Sequence, residues 1–304
     1  MNLRDGCSKF NNKVRLLYRS QKHSCWWKLH ASCIFLILTV LLLTALLLTL
    51  VGDDIRTIYW VKQTGCFLYL NEMFRSMPPI FWMNLTELGD AIVLFPFTFG
   101  LITRFPVSFF ALWTSVPIAA TFSVLFKHLS LVPRPAQVLN IEDFNIIGAV
   151  LKASTSFPSG HTITIFTAVV AVLASLYPSP SLNRHGRIIC VGFLFAAIVG
   201  VSRIAVGAHW PLDIFSGAIF GTLAGLIGAR YSIRSTWWKN LLNPNCAYFI
   251  SLGMLAWSLA VLVKTIENTE ISVVCILSSS SGILAAFKYL YDKSIHLKHE
   301  APLV

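Results

Sequence analysis

The stretch FPSGHTITIFTAVVAVLASL, residues 157–176, joins a small polar cluster to an apolar run. Pro158, Ser159 and Gly160 are residue types that commonly precede or begin a helix. With His161 beside them they also fit an anion site, because the backbone N–H groups and the dipole at a helix N-terminus attract negative charge. The stretch therefore predicts a helix over 161–178, and the rest of the chain has to decide whether its start is also a binding site.

Apolar runs recur along the chain and predict an all-α integral membrane protein. Of its 304 residues, 56% are hydrophobic and 12% are charged, which is far from the composition of a soluble protein. The segment Cys33–Val51 carries no charge, is long enough to cross a bilayer and exceeds the apolar part of a secretory signal. We predict about eight transmembrane spans: 33–51, 88–103, 107–126, 161–178, 188–206, 210–229, 246–265 and 271–288.

The distribution of charge supports this topology. Eight spans place both termini on one side, and the basic segment 1–30 predicts that this side is the cytoplasm. The segments on that side then hold 16 of the 24 Lys and Arg residues but only 3 of the 13 Asp and Glu residues. The net charge of +11 is therefore explained by topology, and nucleic-acid binding is not expected.

Ionisable residues at the ends of the predicted spans fall into three groups. These are KHLSLVPRP at 127–135, PSGH at 158–161 and SRIAVGAHWPLD at 202–213. Ionisable residues in a membrane are costly and by default suggest function. The eight-span topology places all three groups on the non-cytoplasmic face, so we expect them to form one site.

The chemistry of these groups points to a phosphate. Three cations and a helix start suit an anion with several oxygens: Lys127, Arg134, Arg203, Ser159 and Gly160. Four-residue spacing places Asp213 on the same helical face as His209, where the carboxylate can hold one ring N–H and leave the other nitrogen free as a nucleophile. His161 is then available as a proton donor to a leaving oxygen.

Other interpretations stay open for the same residues. Each group alone also fits an ordinary role, such as a snorkelling Lys127 or a structural hydrogen bond between His209 and Asp213. A metal site formed by His161, His209 and Asp213 is a further alternative, although three nearby cations would oppose a divalent ion. Without such a metal, the sequence predicts a site that needs no cofactor.

Read in order, the three groups resemble the phosphatidic-acid phosphatase type 2 (PAP2) superfamily, in its membrane lipid phosphatase branch. The pattern K-x6-RP, PSGH and SR-x5-H-x3-D is present at every fixed position between Lys127 and Asp213. The resemblance implies that His209 forms a phosphohistidine, that Asp213 orients it and that His161 is the general acid. It also implies a metal-free phosphate cradle of five residues: Lys127, Arg134, Ser159, Gly160 and Arg203.

The resemblance also divides the chain. It implies a six-helix PAP2-type catalytic core at 31–230, preceded by the basic cytoplasmic segment at 1–30 that the charge distribution predicts. The chain departs from a six-span member by a C-terminal transmembrane hairpin with a cytoplasmic tail at 231–304, and the sequence leaves the role of this hairpin open. The aromatic outer segment 53–89 is expected either to lie over the site and select the lipid or to be an ordinary membrane-surface segment.

We therefore expect a lipid phosphatase of a bacterial inner membrane, with its active site facing the periplasm. The substrates that the resemblance suggests are lipid A, undecaprenyl diphosphate, phosphatidylglycerol phosphate and phosphatidic acid. The alternatives are a lipid phosphotransferase that uses the same histidine, and a non-enzymatic protein that transports or binds lipid phosphates. The sequence indicates no oligomeric state.

Overall fold

A computed structural model describes residues 53–177, 182–235, 237–267 and 272–300. All secondary structure in these residues is helical, which confirms the predicted all-α fold class. The predicted first span 33–51, the basic segment 1–30 and the end of the cytoplasmic tail lie outside the described residues.

The helices follow the hydropathy of the chain. Each of the seven predicted spans within the described residues overlaps at least one helix. In chain order the helices are α1 Asp53–Phe74, α2 Pro79–Glu87, α3 Ala91–Thr98, α4 Leu101–Arg104, α5 Pro106–Ser130, α6 Pro135–Val138, α7 Gly160–Leu176, α8 Leu182–Ala205, α9 Pro211–Arg234, α10 Trp238–Leu241, α11 Pro244–Glu267 and α12 Val273–Glu300.

Five of the described helical segments are long and apolar enough to cross a membrane. A sixth span results if α2 is counted as one span with the segment Ala91–Arg104, which comprises α3 and α4. These two parts are bent by 67° relative to each other. Helix α7 is apolar but shorter, at 17 residues. The structure thus has five or six of the expected spans within the residues that it describes.

The central packing is between α9 and the pair α7 and α5. Glycines at every fourth position of α9 allow this contact, because small residues let two membrane helices approach closely. A Cβ atom at Gly221 would lie 2.5 Å from the backbone oxygen of Ile163, so no side chain fits there. This close contact fixes the start of α9 beside the start of α7, where a backbone hydrogen bond of 3.0 Å runs from Ser159 N to Asp213 O.

Two further elements surround this core. Helix α1, within the aromatic outer segment, contacts α8 and α9. At the C-terminus, α11 and α12 pack against each other and against α3, and α12 also contacts α2. Helix α1 therefore reaches the two helices that carry the group 202–213, whereas the C-terminal pair reaches α2 and α3.

Candidate active site

His209 and Asp213 meet at the start of α9. Pro211 occupies the first turn of the helix, and the Asp213 carboxylate accepts a hydrogen bond of 2.9 Å from the backbone N–H of Trp210. The same oxygen, Oδ2, lies 3.2 Å from His209 Nδ1. A proton on Nδ1 would therefore be held by the carboxylate, and Nε2 is the ring nitrogen left for chemistry.

The Asp213 carboxylate is completely buried and is surrounded by donors. Besides Trp210 and His209, it accepts a hydrogen bond of 2.5 Å from Ser156 Oγ and one of 2.7 Å from the Tyr59 hydroxyl. Burial raises the pKa of Tyr59 well above its ordinary value, and the charge of Asp213 raises it further, so the phenol stays protonated and donates. Because a buried carboxylate is stable only when it is hydrogen-bonded, these contacts hold Asp213 in place.

Sequence reasoning missed both Tyr59 and Ser156. Ser156 directly precedes the FPSGH stretch, but nothing in its local pattern distinguishes it from a loop serine. Tyr59 is 154 positions away from Asp213 in the chain, and the only available signal was the aromatic content of the outer segment.

His209 is held neutral by its surroundings. It is 1% exposed, and burial lowers its pKa well below the ordinary value for histidine. The positive charges of Arg134, Arg203 and Lys127 lower the pKa further, so the three predicted cations all act on this ring. A neutral imidazole with a free Nε2 is the protonation state that a nucleophile requires.

Arg134 reaches the histidine most directly. Its Nη1 atom lies 3.5 Å from His209 Nε2 and donates a hydrogen bond of 3.2 Å to the carbonyl of Ala208. Lys127, in the last turn of α5, approaches the start of α7, since a Cβ atom at Gly160 would be 3.5 Å from its Nζ atom. Arg134 therefore borders the free nitrogen of His209, and Lys127 lies at the start of α7.

Arg203 is the most deeply buried of the three cations, at 6% exposure. Its Nη1 atom donates a hydrogen bond of 2.6 Å to Thr86 Oγ1. Its Nε atom is buried and has no hydrogen-bond partner among the described residues. Buried polar groups are nearly always paired, so an unpaired guanidinium N–H fits a site that receives an anion.

The start of α7 differs in one detail from what the sequence suggests. Ser159 uses its N–H to bond Asp213 O, and its hydroxyl oxygen accepts from the backbone N–H and the hydroxyl of Thr162 at 3.4 Å and 3.0 Å. The expectation that its backbone N–H faces a phosphate is therefore corrected, because Ser159 caps the helix and links it to α9. The N–H groups of Gly160 and His161 are the ones that a helix start leaves without intrahelical partners.

His161 completes the cluster from the first turn of α7. Its ring lies within electrostatic reach of Arg203 and of the His209 ring. On its other side it touches Gly89, where a Cβ atom would lie 2.7 Å from His161 Cβ. The structure thus brings all eight predicted site residues into one cluster.

The rival metal site is not assembled in this geometry. Among the residues that the structure describes, no three His, Cys, Asp and Glu side chains lie close enough together to hold a metal ion. His161, His209 and Asp213 therefore do not form the ligand set that the sequence left open.

A cavity of about 350 Å³ opens beside His161 between α3, α5 and α7. Its walls are mainly apolar side chains such as Leu94, Leu112 and Val116, and its polar lining residues include Asp90, Ser123 and His161. An apolar cavity with a few polar lining groups suits a ligand that has a polar head and an apolar body.

A comparison with protein families matches the part of the chain that contains this site. The sequence profile of the PAP2 superfamily matches residues 108–237, a range that contains all eight predicted site residues.

Individual relatives match shorter parts of the chain. It is 36% identical to the lipid A 1-phosphatase of Porphyromonas gingivalis over 76 residues, which are 25% of this chain and 16% of that protein. It is also 36% identical to the undecaprenyl-diphosphatase of Sulfolobus acidocaldarius over 81 residues, which are 27% of this chain and 34% of that protein. The chain thus spans about a third or less of the length of these two curated relatives.

Among solved structures, the chain resembles LpxE of Aquifex aeolicus. The two are 30% identical with a TM-score of 0.46, and the match covers 56% of this chain and 95% of that one.

Proposed function

We propose that this protein is a membrane lipid phosphatase that hydrolyses a phosphate monoester or diphosphate of a lipid. The chain belongs to the PAP2 superfamily through residues 108–237. The observation that carries the proposal is the environment of His209. Its Nδ1 is held by the buried Asp213 carboxylate, while its Nε2 is the nitrogen next to Arg134. A neutral, oriented histidine bordered by cations is arranged to attack a phosphorus atom.

In the first step, His209 Nε2 attacks phosphorus and the phosphorus–oxygen bond to the lipid breaks. The imidazolium that forms is stabilised by Asp213, which accepts the Nδ1–H hydrogen bond. His161, protonated once the negative charge of the bound phosphate offsets the nearby cations, gives its proton to the departing lipid oxygen, so that this oxygen does not leave as an unstable anion. The product of this step is a phosphohistidine.

In the second step, water attacks the phosphohistidine and the nitrogen–phosphorus bond breaks. His161, now without its proton, takes one from the water, and inorganic phosphate is released. Lys127, Arg134 and Arg203 neutralise the charge on the phosphoryl oxygens in both steps. Electrostatic stabilisation by such fixed charges is the main contribution that a protein makes to phosphoryl transfer.

The lipid nature of the substrate is supported by the surroundings of the site. The acid His161 lines a mainly apolar cavity between membrane helices, where a hydrocarbon chain avoids water. The relatives named for lipid A and for undecaprenyl diphosphate favour these two substrates over phosphatidylglycerol phosphate and phosphatidic acid. The charge asymmetry of the sequence supports an active site on the periplasmic face of a bacterial inner membrane.

The proposal is tested with purified protein in detergent, in the presence of a chelator. Phosphate release is measured from a panel of lipid A, undecaprenyl diphosphate, phosphatidylglycerol phosphate and phosphatidic acid. We expect release from at least one lipid and loss of release in His209→Ala. Binding of these lipids without phosphate release would identify a binding protein instead, and transfer of phosphate to an added lipid alcohol would identify a phosphotransferase.

A further inference from the structure

The C-terminal helices are tied to the neighbourhood of the active site by one lysine. Lys264 lies in the last turn of α11, and its Nζ atom is 2.7 Å from both Glu87 Oε2 and Asp90 Oδ2. All three side chains are less than one-third exposed, so solvent screens these pairs less than it screens a surface pair. We refer to Lys264, Glu87 and Asp90 as the clamp.

The clamp holds the connection between α2 and α3, and this connection touches two residues of the active site. Thr86, next to Glu87, accepts the hydrogen bond from Arg203. Gly89, next to Asp90, packs directly on His161 with no room for a side chain. A shift of this connection would therefore move the surroundings of both the general acid and a phosphate-binding arginine.

Hydrogen bonds on both sides of the clamp show that the C-terminal pair holds this whole region. On the α2 side, Asn84 Oδ1 accepts from Ser272 Oγ at 3.3 Å and from Val274 N at 3.0 Å. On the α3 side, Trp257 Nε1 donates to the carbonyl of Ile92 at 3.0 Å. The ionic part of this attachment is provided by Lys264.

The clamp also has an electrostatic consequence. Glu87 and Asp90 place two carboxylates within electrostatic reach of Arg203, in a site that must receive an anion, and their negative charge disfavours the binding of that anion. Lys264 neutralises part of this charge and keeps both carboxylates turned towards α11. Removing Lys264 would leave the two carboxylates to repel each other and to compete for the nearby cations.

We propose that Lys264 is a positioning residue, through which the C-terminal helices hold the connection between α2 and α3 against His161 and Arg203. This inference rests on the proposed phosphatase function. It gives the C-terminal pair, whose role the sequence left open, a part in the transfer of the proton to the leaving group.

The test compares two substrates that differ in their need for an acid. The first is the lipid phosphate that the wild-type protein hydrolyses fastest, whose alcohol needs a proton to leave. The second is p-nitrophenyl phosphate, whose leaving group departs as a stabilised anion. We expect Lys264→Met to lower the ratio of the lipid kcat to the p-nitrophenyl kcat about tenfold, because His161 is displaced. The carboxylates that are no longer neutralised should raise KM for both phosphates to a similar extent.

Matched variants separate positioning from folding. Lys264→Arg keeps the charge and should restore the ratio to within about threefold. Asp90→Asn keeps the helix-capping oxygen that accepts from Ile92 N but weakens the ion pair with Lys264. This variant should therefore also lower the ratio. Lys288→Met breaks an exposed ion pair with Asp292 on α12 and should change neither rate.

The outcomes are distinct. An equal loss of kcat on both substrates in Lys264→Met would show that the clamp does not position the acid, and unchanged kcat values would show that it has no role in the chemistry, so either result overturns the inference. Absence of phosphate release from every lipid by the wild-type protein would overturn the proposed function itself, and the inference with it.

Discussion

Replacing Tyr59 by phenylalanine tests whether the outer helix α1 takes part in catalysis. The change removes only the hydroxyl that donates to Asp213 Oδ1 at 2.7 Å and keeps the ring that packs edge-on against Phe157. Asp213 then loses one of its four donors, while Ser156, Trp210 and His209 remain in contact with it.

The size of the effect follows from the charge on the acceptor. A hydrogen bond to a charged group contributes about 1.5–3 kcal/mol, and the three remaining donors favour the lower end of this range. About 1.4 kcal/mol corresponds to a tenfold change in rate. We therefore expect kcat of Tyr59→Phe to fall about tenfold, since Asp213 orients the nucleophile less firmly, while KM changes little.

The assay is steady-state phosphate release from the lipid substrate, with the unfolding temperature measured in the same detergent. Tyr69→Phe is the matched control, because Tyr69 lies on the same helix but is 70% exposed, and we expect it to behave as the wild type. A kcat of Tyr59→Phe within twofold of the wild type, at an unchanged unfolding temperature, would refute the reasoning.

Two further predictions concern the nucleophile and the helix packing. Because the folded-state pKa of His209 is lowered, His209 stays neutral down to that pKa and is protonated only below it. The acid limb of kcat/KM should therefore lie below the ordinary pKa of histidine, and Arg134→Gln, which removes a cation, should move the limb to higher pH in a pH–rate profile. Gly221→Ala places a methyl group against Ile163 O and should destabilise the protein by about 1–3 kcal/mol in denaturant unfolding, whereas Gly253→Ala, with nothing within 4 Å of the added atom, should not destabilise it. An acid limb at the ordinary value, or equal stability of the two glycine variants, would contradict these predictions.

Much of the fold and the core of the site could be predicted because their signals are local. Length and hydropathy locate the membrane helices, and Pro96 and Gly100 interrupt the predicted span 88–103, which the structure divides into α3 and α4. The histidine and the aspartate of the site lie four residues apart on one helix start, so their contact follows from helical geometry.

The rest depends on contacts between distant parts of the chain, which no local pattern reports. Tyr59 reaches Asp213 only because α1 packs on α8 and α9, and Lys264 reaches Asp90 across 174 positions. Ser159 shows the same limit at short range. Its type and position predict a helix start, but the use of its N–H is decided by the neighbouring α9 backbone.

The central claim, that His209 is the nucleophile, is tested most directly by isolating the phosphohistidine. Phosphorus-labelled p-nitrophenyl phosphate is given to His161→Ala, in which the first step proceeds with an activated leaving group while the second step lacks its base. We predict label that is stable to alkali, is lost in acid and maps to His209 by mass spectrometry of peptides, and no label in the His161→Ala, His209→Ala double variant. Turnover of this substrate without labelled His209, or label on another residue, would contradict the account.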